Sequence, residues 1–436
     1  MRAETRTSAM LLFGRVPMMI RHAAIITESC SRSLAPLLIG WGDESKARQF
    51  SELRQDTAHA FAHVAEAFFW PEPAVEPILA QVSEWRTRYD IQGVLSCGEI
   101  FVEPAGMAAD LLGLPGPGLR AARVCRNKHL QRSYLAEWSP VHRLVLPGDQ
   151  AAAAGRADRF PVVVKPVGRT SSSGVRLVRS AAELAEVTAA YPSDEWLLVE
   201  ERVEGPEFSV EALVQDGRVF WESITAKVTT ETSSSFFAEL EHTVPATGLS
   251  PGDAQALISA NQGVLAALDF RDGISHAEFR VCDGRAVLME IAARLPGDGI
   301  TILYELATGQ PVEPVLLDIA LGLPASYPVP LRQARHHYVQ HPFGRLVDVK
   351  APSGVPITWM QHDGRWPRFD PVGANEPART CGVLVNRRVG DHLGPITDSD
   401  ERAVSVMVDA PLDGSIEPIT AAAAASLRVE VSGDGG

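Results

Sequence analysis

HAEFRVCDGRAVLMEIAAR, residues 276–294, alternates apolar and polar residues on both sides of Asp283-Gly284. This alternation around a turn dipeptide predicts a β-hairpin. With a two-residue turn, Cys282 would pair with Arg285, and the apolar residues would scatter over both faces. With a three-residue loop that includes Cys282 and ends in a glycine bulge, Val281 pairs with Arg285 and one face is wholly apolar. Because a buried face sets the register, the second pairing is predicted.

Two carboxylates share the polar face of the predicted hairpin. Glu278 and Glu290 become diagonal cross-strand neighbours, and like charges in that arrangement repel unless a positive group lies between them. A solvated face with Arg280 as partial partner is one interpretation. The other is a metal site, because proteins hold nucleotide-bound Mg²⁺ with one or two carboxylates.

A glycine- and serine-rich loop lies upstream of the hairpin. Phe160–Lys165 (FPVVVK) predicts a strand that leads into Gly168–Gly174 (GRTSSSG). Backbone N–H groups and serine hydroxyls in such a loop can bind phosphate oxygens. The loop lacks the GK[ST] ending of a P-loop. A flexible surface turn is the alternative interpretation.

Lysine is rare in this sequence and therefore informative. It occurs only at Lys46, Lys128, Lys165, Lys227 and Lys350. A coding bias toward arginine explains the scarcity. Under such a bias, the remaining lysines favour positions where a compact ammonium cannot be replaced by a planar guanidinium.

The first part of the chain alternates predicted strands and helices, which is typical of a parallel, doubly wound domain. Met10–Ile20 is interpreted as an N-terminal extension, with Met18 or Met19 as alternative starts. The predicted elements are strands at Ala23–Thr27 and Gly93–Ser96, and helical sequence at Lys46–Phe69, Val102–Leu112 and Arg126–Glu137.

The rest of the chain predicts a mixed α and β arrangement. Thr229–Phe237 is too polar to be core and predicts a mobile loop. Short strands follow about residue 330, and Ala421–Ala425 predicts a helix. The other elements are strands at Val175–Val178, Trp196–Glu200, Glu207–Val214 and Val219–Ile224, and helices at Ala181–Ala190 and Ala254–Leu268.

Composition excludes several classes of protein. The 436 residues suggest about three domains at roughly 150 residues each. With 54 acidic against 40 basic residues and a net charge of −14, the chain repels nucleic acid. Five scattered cysteines without a CxxC spacing argue against disulfides and zinc and for the cytoplasm. No apolar run approaches the roughly 20 residues of a membrane span.

In combination, the motifs resemble the ATP-grasp superfamily over about Leu95 to Leu323. The resemblance implies an α/β protein with an α+β nucleotide-binding part and an ATP-grasp fold. The implied divisions are a Rossmann-like domain (1–125), a mobile lid (126–205), a catalytic subdomain (206–330) and a β-rich C-terminal part (331–436). The matching motifs are RNKHLQR around Lys128, PVVVKPVGRTSSSGV around Lys165, EERVEGPE from Glu200 to Glu207, and the carboxylates Glu278 and Glu290.

The resemblance also implies a ligand set of ATP and Mg²⁺, with Mn²⁺ as an alternative. The expected roles are phosphate binding by Lys128, Lys165 and the loop residues Ser171, Ser172, Ser173 and Gly174; adenine binding by Glu200 and the backbone of Glu201 to Val203; ribose binding by Glu207; and metal binding by Glu278 and Glu290.

One departure narrows the resemblance. Many members of the superfamily carry Asn two residues after the second carboxylate, where this chain has Ala292. The sequence Glu-x-Ala-Ala-Arg resembles the L-amino-acid ligase group instead, which implies that Arg294 holds the substrate carboxylate or acyl phosphate. FAELEHTVPA also resembles that group and implies a catalytic role for His242, with a structural loop histidine as the alternative. Lys227 matches a family lysine without an assigned role.

The implied activity is an ADP-forming carbon–nitrogen ligase that makes an amide, or peptide, bond through an acyl phosphate. The expected partners are small-molecule carboxylate and amine substrates, and a homodimer is left open. The alternatives are another ATP-grasp enzyme, such as a carboxylase or nucleotide-biosynthesis ligase, and a nucleotide-binding module without turnover. His336, His337 and His341 lack cysteine or acidic neighbours in sequence and are interpreted as structural or surface residues.

Overall fold

This computed structural model describes residues 6–72, 74–150, 159–232, 234–360 and 366–433. Helices and strands each make up 31% of the chain, which confirms the mixed α and β class. Within the described ranges, no helix is both long enough and apolar enough to cross a bilayer.

The N-terminal part is a parallel sheet with helices packed on both faces. Its strands are β1 (Thr7–Phe13), β2 (Ala35–Trp41), β3 (Glu66–Trp70) and β4 (Tyr89–Ser96), in the order β3-β2-β1-β4. Its helices are α1 (Val16–Arg21), α2 (Ala24–Ser31), α3 (Glu44–Gln55), α4 (Val75–Trp85) and α5 (Val102–Leu112). Side chains of β1 alternate between two separate cores, so the doubly wound arrangement is confirmed.

Three predictions about individual elements in this part were wrong. The predicted strand Ala23–Thr27 is helical, because Ala23 directly precedes helix α2 and the next four residues lie in it. The first strand, β1, overlaps the segment that was interpreted as an N-terminal extension. A short apolar run fits a buried strand or a buried helix equally, which is why the sequence misled. The predicted helix from Lys46 to Phe69 ends at Gln55, and its last part is strand β3.

A small antiparallel sheet follows and forms the lid. Two short helices, α6 (Leu119–Val124) and α7 (Lys128–Tyr134), lead into it, and α7 is shorter than the predicted Arg126–Glu137. The Asn127 side chain caps α7 by accepting a hydrogen bond from the backbone of Leu130. The lid contains β5 (His142–Val145), β6 (Val162–Pro166), β7 (Arg176–Val178), β8 (Leu197–Glu201) and α8 (Ala181–Ala189), with strand order β5-β8-β6-β7.

A nine-stranded sheet forms the largest part of the molecule. Its strands are β9 (Glu207–Gln215), β10 (Arg218–Thr229), β11 (Glu239–Val244), β12 (Gly273–Cys282), β13 (Arg285–Ala292), β14 (Arg332–Tyr338), β16 (Ile357–Trp359), β17 (Arg379–Val385) and β19 (Val404–Pro411). The order is β13-β12-β9-β10-β11-β14-β19-β17-β16, and all neighbours are antiparallel except β16 and β17. Helices α9 (Pro251–Ala267), α10 (Ile300–Thr308) and α11 (Glu313–Ala320) pack beside it.

The end of the chain adds a small sheet and a helix. The sheet order is β18-β15-β20, with β15 (Gly344–Lys350), β18 (His392–Leu393) and β20 (Arg428–Ser432). The predicted alanine-rich helix is confirmed as α12 (Glu417–Ser426). Because β14, β17 and β19 continue the large sheet, no sheet boundary coincides with the division predicted at residue 331, and the four domain bounds stay a prediction.

The predicted hairpin is present, but its turn is not the predicted one. Cys282 pairs with Arg285 across a two-residue turn, with positive φ at Asp283 (50°) and Gly284 (73°). The register shifts instead at a bulge between Glu278 and Phe279, which restores the apolar face without lengthening the turn. As a result, Glu278 lies directly opposite Glu290.

One core joins the N-terminal part to the large sheet. Apolar residues of β1 and α2 lie in the same cluster as residues of α10 and α11. Polar contacts cross this junction as well, with Arg32 bonded to Asp318 at 2.6 Å and His22 bonded to Glu313 at 3.1 Å. Helix α1 is thereby held beside the large sheet.

Candidate active site

A cavity of about 460 Å³ lies between the lid, the hairpin, α1 and the C-terminal part. It is lined by every predicted site residue except Gly174 and His242. Those lining it are Lys128, Lys165, Ser171, Ser172, Ser173, Glu200, Glu201, Val203, Glu207, Glu278, Glu290 and Arg294. Residues separated by up to 166 positions in sequence therefore share one solvent-filled space.

The two hairpin carboxylates lie beside cations. Lys227 Nζ donates to Glu278 Oε1 at 2.5 Å, and His276 Nε2 lies 3.2 Å from the same oxygen. Lys128 Nζ donates to Glu290 Oε1 at 2.9 Å. All of these hydrogen bonds are accepted by Oε1. The Oε2 atoms of Glu278 and Glu290 accept no hydrogen bond from the residues that the structure describes. The pair can accept further positive charge.

Burial and charge compete at Glu278. Burial opposes its ionisation, but the charges of Lys227 and His276 outweigh burial and hold its pKa well below the usual range. Burial likewise opposes the charge on His276, yet hydrogen bonds to Glu211 and Glu278 raise its pKa to about 9. Glu278 is therefore ionised and oriented without a ligand.

Lys165 and Glu200 form a buried pair in the cavity wall. Arg132 Nε donates to Glu200 Oε1 at 2.6 Å, and Lys165 Nζ lies 2.8 Å from Oε2. Burial opposes the charge on Glu200, but Arg132 and Lys165 lower its pKa to about 2. Burial, with Arg132, lowers the pKa of Lys165 to about 8. The Glu200 carboxylate thus positions Lys165, and its adenine role stays a prediction.

The glycine- and serine-rich loop is a tight turn of unusual backbone geometry. Ser171 and Ser172 have φ of 60° and 55°, a region that residues other than glycine rarely occupy. Ser173 N donates to Thr170 O at 3.1 Å. Gly174 lies behind the turn, where its carbonyl accepts from the Tyr191 hydroxyl. Such strain concentrates at ligand-binding loops.

Contacts tie this loop to the rest of the cavity. Arg169 forms an ion pair with Glu195 within the lid, and Lys128 Nζ donates to Arg169 O at 2.7 Å. Ser399 N donates to Ser171 O at 3.3 Å, so the loop also touches the C-terminal part. The loop therefore covers the cavity from the lid side.

The polar stretch predicted as a mobile loop packs against the lid. Leu177 N donates to Ser235 O at 3.1 Å, and Glu231 forms an ion pair with Arg280. Ser233 lies outside the described residues, and the mobility stays a prediction. Arg280 also forms an ion pair with Glu207 at 2.7 Å, so the predicted ribose ligand is held in place.

Arg294 is held from one side. Its Nε donates to Glu99 Oε2 at 2.5 Å, and Nη1 donates to the carbonyl of Leu295 at 2.7 Å. Burial opposes the charge on Arg294, but Glu99 raises its pKa. These contacts leave Nη2 without a hydrogen bond among the described residues, so the guanidinium can bind an oxygen anion in the cavity.

His242 is buried behind the wall. Its Nε2 lies 3.2 Å from Asp298 Oδ2, and its Nδ1 has no partner among the described residues. Burial lowers its pKa, so the imidazole is neutral near pH 7. Asp298 lines the cavity and is also bonded by Arg402 at 2.6 Å. The geometry favours a positioning contact through Asp298 over direct contact with a substrate.

Glu239, His242 and Asp298 bring ligand atoms within 4.8 Å of one another. Two cations already balance this group, because Lys227 bonds Glu239 and Arg402 bonds Asp298. A metal is not needed there to balance the charge.

The histidine cluster does not converge. His336 bonds the Asp298 carbonyl at 2.5 Å and the Ser405 hydroxyl at 2.7 Å, whereas His337 bonds Glu241 at 2.9 Å. His341 contacts only the carbonyl of Pro342 among the described residues. These contacts are those of structural and surface side chains.

Sequence reasoning missed several residues of the cavity wall. Lys227 was noticed without a role, and its place between two acidic side chains supplies one. The signals for it were the rarity of lysine and the match to a family lysine. Glu239 and Asp298 also line the cavity, and neither was predicted, although they lie close in sequence to His242 and Arg294. The other missed residues of the wall are Arg21, His276 and Arg402, and behind the wall Arg132 and Glu211 hold Glu200 and His276.

A family model described as an ATP-grasp domain matches residues 158–302. The match includes the loop, the acidic strand end and the hairpin, which are the segments that the cavity brings together. The chain carries an ATP-grasp domain.

Two curated relatives match more than half of this ATP-grasp chain, each at less than 30% identity. An uncharacterized protein of Sinorhizobium fredii is 29% identical over 243 residues, covering 53% of the chain and 49% of the relative. The alanine–anticapsin ligase of Bacillus subtilis is 24% identical over 295 residues, covering 61% of each. The chain thus spans about half to three fifths of the length of these relatives.

Solved structures share the ATP-grasp fold over nearly the whole chain. An L-amino acid ligase from Bacillus licheniformis has a TM-score of 0.73 at 20% identity, covering 98% of this chain and all of that one. A biotin carboxylase from Campylobacter jejuni has a TM-score of 0.61 at 13% identity, covering 98% and 92%. At such identities the likeness establishes the fold, and function must be argued from the site.

Proposed function

We propose that the chain is an ATP-dependent, ADP-forming carbon–nitrogen ligase that joins a carboxylate of one small molecule to the amine of another. Amino-acid-like molecules are the proposed substrates. The observation that carries the proposal is the convergence of Lys128, Lys165, the Glu278–Glu290 pair and Arg294 on one cavity. The relative named an alanine–anticapsin ligase supports the same class of reaction.

A divalent ion fits the residues of this site. Glu278 and Glu290 face each other in register, and each keeps one oxygen without a hydrogen bond in the described part of the chain. Mg²⁺ prefers oxygen ligands and takes the remainder from phosphate and water, which suits a site with Ala292 in place of a third protein ligand. When bound, the ion would neutralise charge on the terminal phosphates.

In the proposed first step, an oxygen of the substrate carboxylate attacks the γ-phosphorus of ATP, and the bond to ADP breaks. Lys128 and Lys165 contribute positive charge to the phosphates, and the backbone around Ser171 donates hydrogen bonds. Arg294, held by Glu99, orients the substrate carboxylate for in-line attack. Catalysis of this step consists of positioning and charge stabilisation.

In the proposed second step, the amine nitrogen of the other substrate attacks the carbonyl carbon of the acyl phosphate. The bond from the carbonyl carbon to the phosphate oxygen breaks, inorganic phosphate leaves, and the nitrogen passes a proton to water. The Arg294 guanidinium stabilises the oxyanion that forms during the attack. Arg294 acts in both steps, because the carboxyl group that is phosphorylated in the first step is the group that the amine attacks in the second.

Two alternatives are retained. An ATP-dependent carboxylase shares the fold and would require bicarbonate. A binding module without turnover would need neither a carboxylate pair free to take a metal nor an arginine aimed at an acyl group.

The test is a pairwise screen of amino acids that reads phosphate release, with products identified by mass spectrometry. Hydroxylamine in place of the amine substrate should trap an acyl hydroxamate, with ADP and phosphate formed in equal amounts. AMP and pyrophosphate during amide formation would contradict the mechanism. A requirement for bicarbonate would favour the carboxylase.

A further inference from the structure

Two arginines of the N-terminal part, Arg15 and Arg21, line the cavity without an ion pair among the described residues; Arg15 is exposed, whereas Arg21 is largely covered. Arg294 is bonded to Glu99, and Arg402 is bonded to Asp298. Arg21, the last residue of α1, also lines the cavity. Among the residues that the structure describes, its guanidinium has no ion pair and no hydrogen bond, and its Nε is buried without an acceptor.

A second unpartnered donor belongs to the side chain on which Arg21 lies. The Arg21 guanidinium carbon is 4.3 Å from the centroid of the Trp366 ring. The indole Nε1 of Trp366 is likewise buried without an acceptor. Buried donors in native proteins are nearly always satisfied, so two in contact indicate a missing acceptor. A planar guanidinium held flat by an aromatic ring is suited to a carboxylate.

The neighbouring charges do not neutralise Arg21. Burial lowers its pKa, and the attraction of Asp298 offsets this only in part, while the charges of Arg294 and Arg402 lower the pKa further. The charges that raise the pKa of Arg294, by contrast, include Glu290 and Glu278 after Glu99. The charges of Glu278 and Glu290 thus act on Arg294, whereas the carboxylate that acts on Arg21 is that of Asp298.

We infer that Arg21, stacked on Trp366, binds a carboxylate that survives the reaction, carried by the amine substrate. The inference rests on the proposed function, because it names the substrate class: an amino acid whose carboxylate stays free in the product. Arg294 serves the carboxylate that is activated, and Arg21 serves the one that is not. An amine without a carboxylate would leave the Arg21 guanidinium desolvated and unpaired, and would bind poorly.

The test compares wild type with Arg21→Met on matched amines. The probes are the amino acid that gives the most phosphate release in the screen and its carboxamide, which differ only in the negative charge. Wild type should prefer the amino acid, and Arg21→Met should reduce the ratio of the two kcat/KM values about tenfold or more, mainly through KM. Arg88→Met is the control, because Arg88 also lies over an aromatic ring, that of Tyr89, but does not line the cavity.

Thermal unfolding separates binding from structural support. If Arg21 awaits a ligand, its removal should leave Tm unchanged or raise it, since a buried unpaired charge is relieved. A large fall in Tm, or an unchanged kcat/KM ratio, would overturn the inference. Arg21→Lys should restore part of the ratio, because charge returns without the planar fork.

A further measurement keeps the test independent of turnover. With ADP and Mg²⁺ present, millimolar amino acids should raise the Tm of wild type more than their carboxamides do, and Arg21→Met should abolish that difference. If hydroxylamine trapping succeeds but no such difference exists, the proposed function stands and the Arg21 assignment fails. If trapping fails while the difference in Tm is present, the Arg21 assignment stands and the proposed function fails.

Discussion

On one wall of the cavity, the Lys227 side chain is 1% exposed and lies between Glu239 and Glu278. On the opposite wall, the Arg169 side chain is 36% exposed and pairs with Glu195. We call the first the sheet wall (Lys227, Glu239, His276, Glu278 and Glu290) and the second the lid wall (Gly168–Gly174 and Glu195). The two walls carry charges of the same kinds in different surroundings.

Burial is what separates the two walls. Interactions between charges strengthen where water is excluded, so the paired groups of the sheet wall hold one another in fixed positions. Exposed pairs such as Arg169–Glu195 contribute little, typically up to about 1 kcal/mol. The comparison teaches that the sheet wall is preorganised for charge stabilisation, while breaking the exposed pair of the lid wall costs little, which is what the predicted lid closure requires.

The largest expected effect is on the sheet wall. Lys227→Met removes the buried cation between the partly buried carboxylates of Glu239 and Glu278. His276, already shared with Glu211, cannot take its place, so the free energy of unfolding should fall by about 3–5 kcal/mol. Urea denaturation measures it. Lys350→Met is the control, because Lys350 pairs with Glu430 on the surface. Equal losses in the two variants would show that burial does not distinguish the pairs.

The next effect is on turnover. Glu290→Gln removes the charge of a metal carboxylate while keeping its shape, so kcat should fall on the order of 10²-fold or more with little change in Tm. Glu278→Gln should reduce kcat similarly. Phosphate release in the presence of Mg²⁺ measures both. A folded variant with near wild-type activity would remove the metal assignment.

A pH effect should mark the sheet side of the molecule. Burial lowers the pKa of His336 to about 3, whereas the unfolded chain takes up a proton near pH 6.5. The unfolded state therefore binds more protons between these values, and stability falls as pH drops through that window. The contribution is up to about 1.4 kcal/mol per pH unit.

His336→Gln provides the comparison for this pH effect. Glutamine cannot protonate, so the difference in unfolding free energy between wild type and variant should shift in favour of the variant as pH falls below 6.5. Denaturant titrations at several pH values measure the difference. A constant difference from pH 6.5 to 4 would mean that His336 does not stay neutral in the folded protein.

The smallest effect is expected on the lid wall. Tyr191→Phe removes the hydrogen bond to the Gly174 carbonyl, and global stability should fall by about 1 kcal/mol at most. Limited proteolysis should nevertheless cut Gly168–Gly174 and the loop Thr229–Phe237 faster in the variant. An ATP analogue with Mg²⁺ should protect both loops in wild type. Equal cleavage with and without nucleotide would argue against a closing lid.

The fold was predictable from local patterns to a large extent. The hairpin, the glycine- and serine-rich loop and the helix Val102–Leu112 each carry a periodicity or turn signal within a few residues. Errors occurred where a local pattern was ambiguous. Ala23–Thr27 fits a helix and a strand equally, and a bulge at Glu278 moved the register that the turn was expected to set.

Residues of the candidate site could be predicted only where they belong to a motif and the motifs follow one another in a family-like order. Lys128, Lys165, Glu278 and Glu290 could be named, because each lies in a recognisable segment. The partners of these residues could not. Glu200 and Arg132 are separated by 68 positions, and nothing in either segment indicates that they form a buried pair.

The sequence by itself determined most of the elements, the placing of two carboxylates on one face of a hairpin and the glycine- and serine-rich loop, because backbone propensity and side-chain periodicity act over short stretches of chain. Only the tertiary structure decided which cations neutralise Glu278 and Glu239, and that Arg21 has no such partner among the residues the structure describes. The physical reason is that Coulomb energy and desolvation depend on distances and burial, which the packing of remote segments sets.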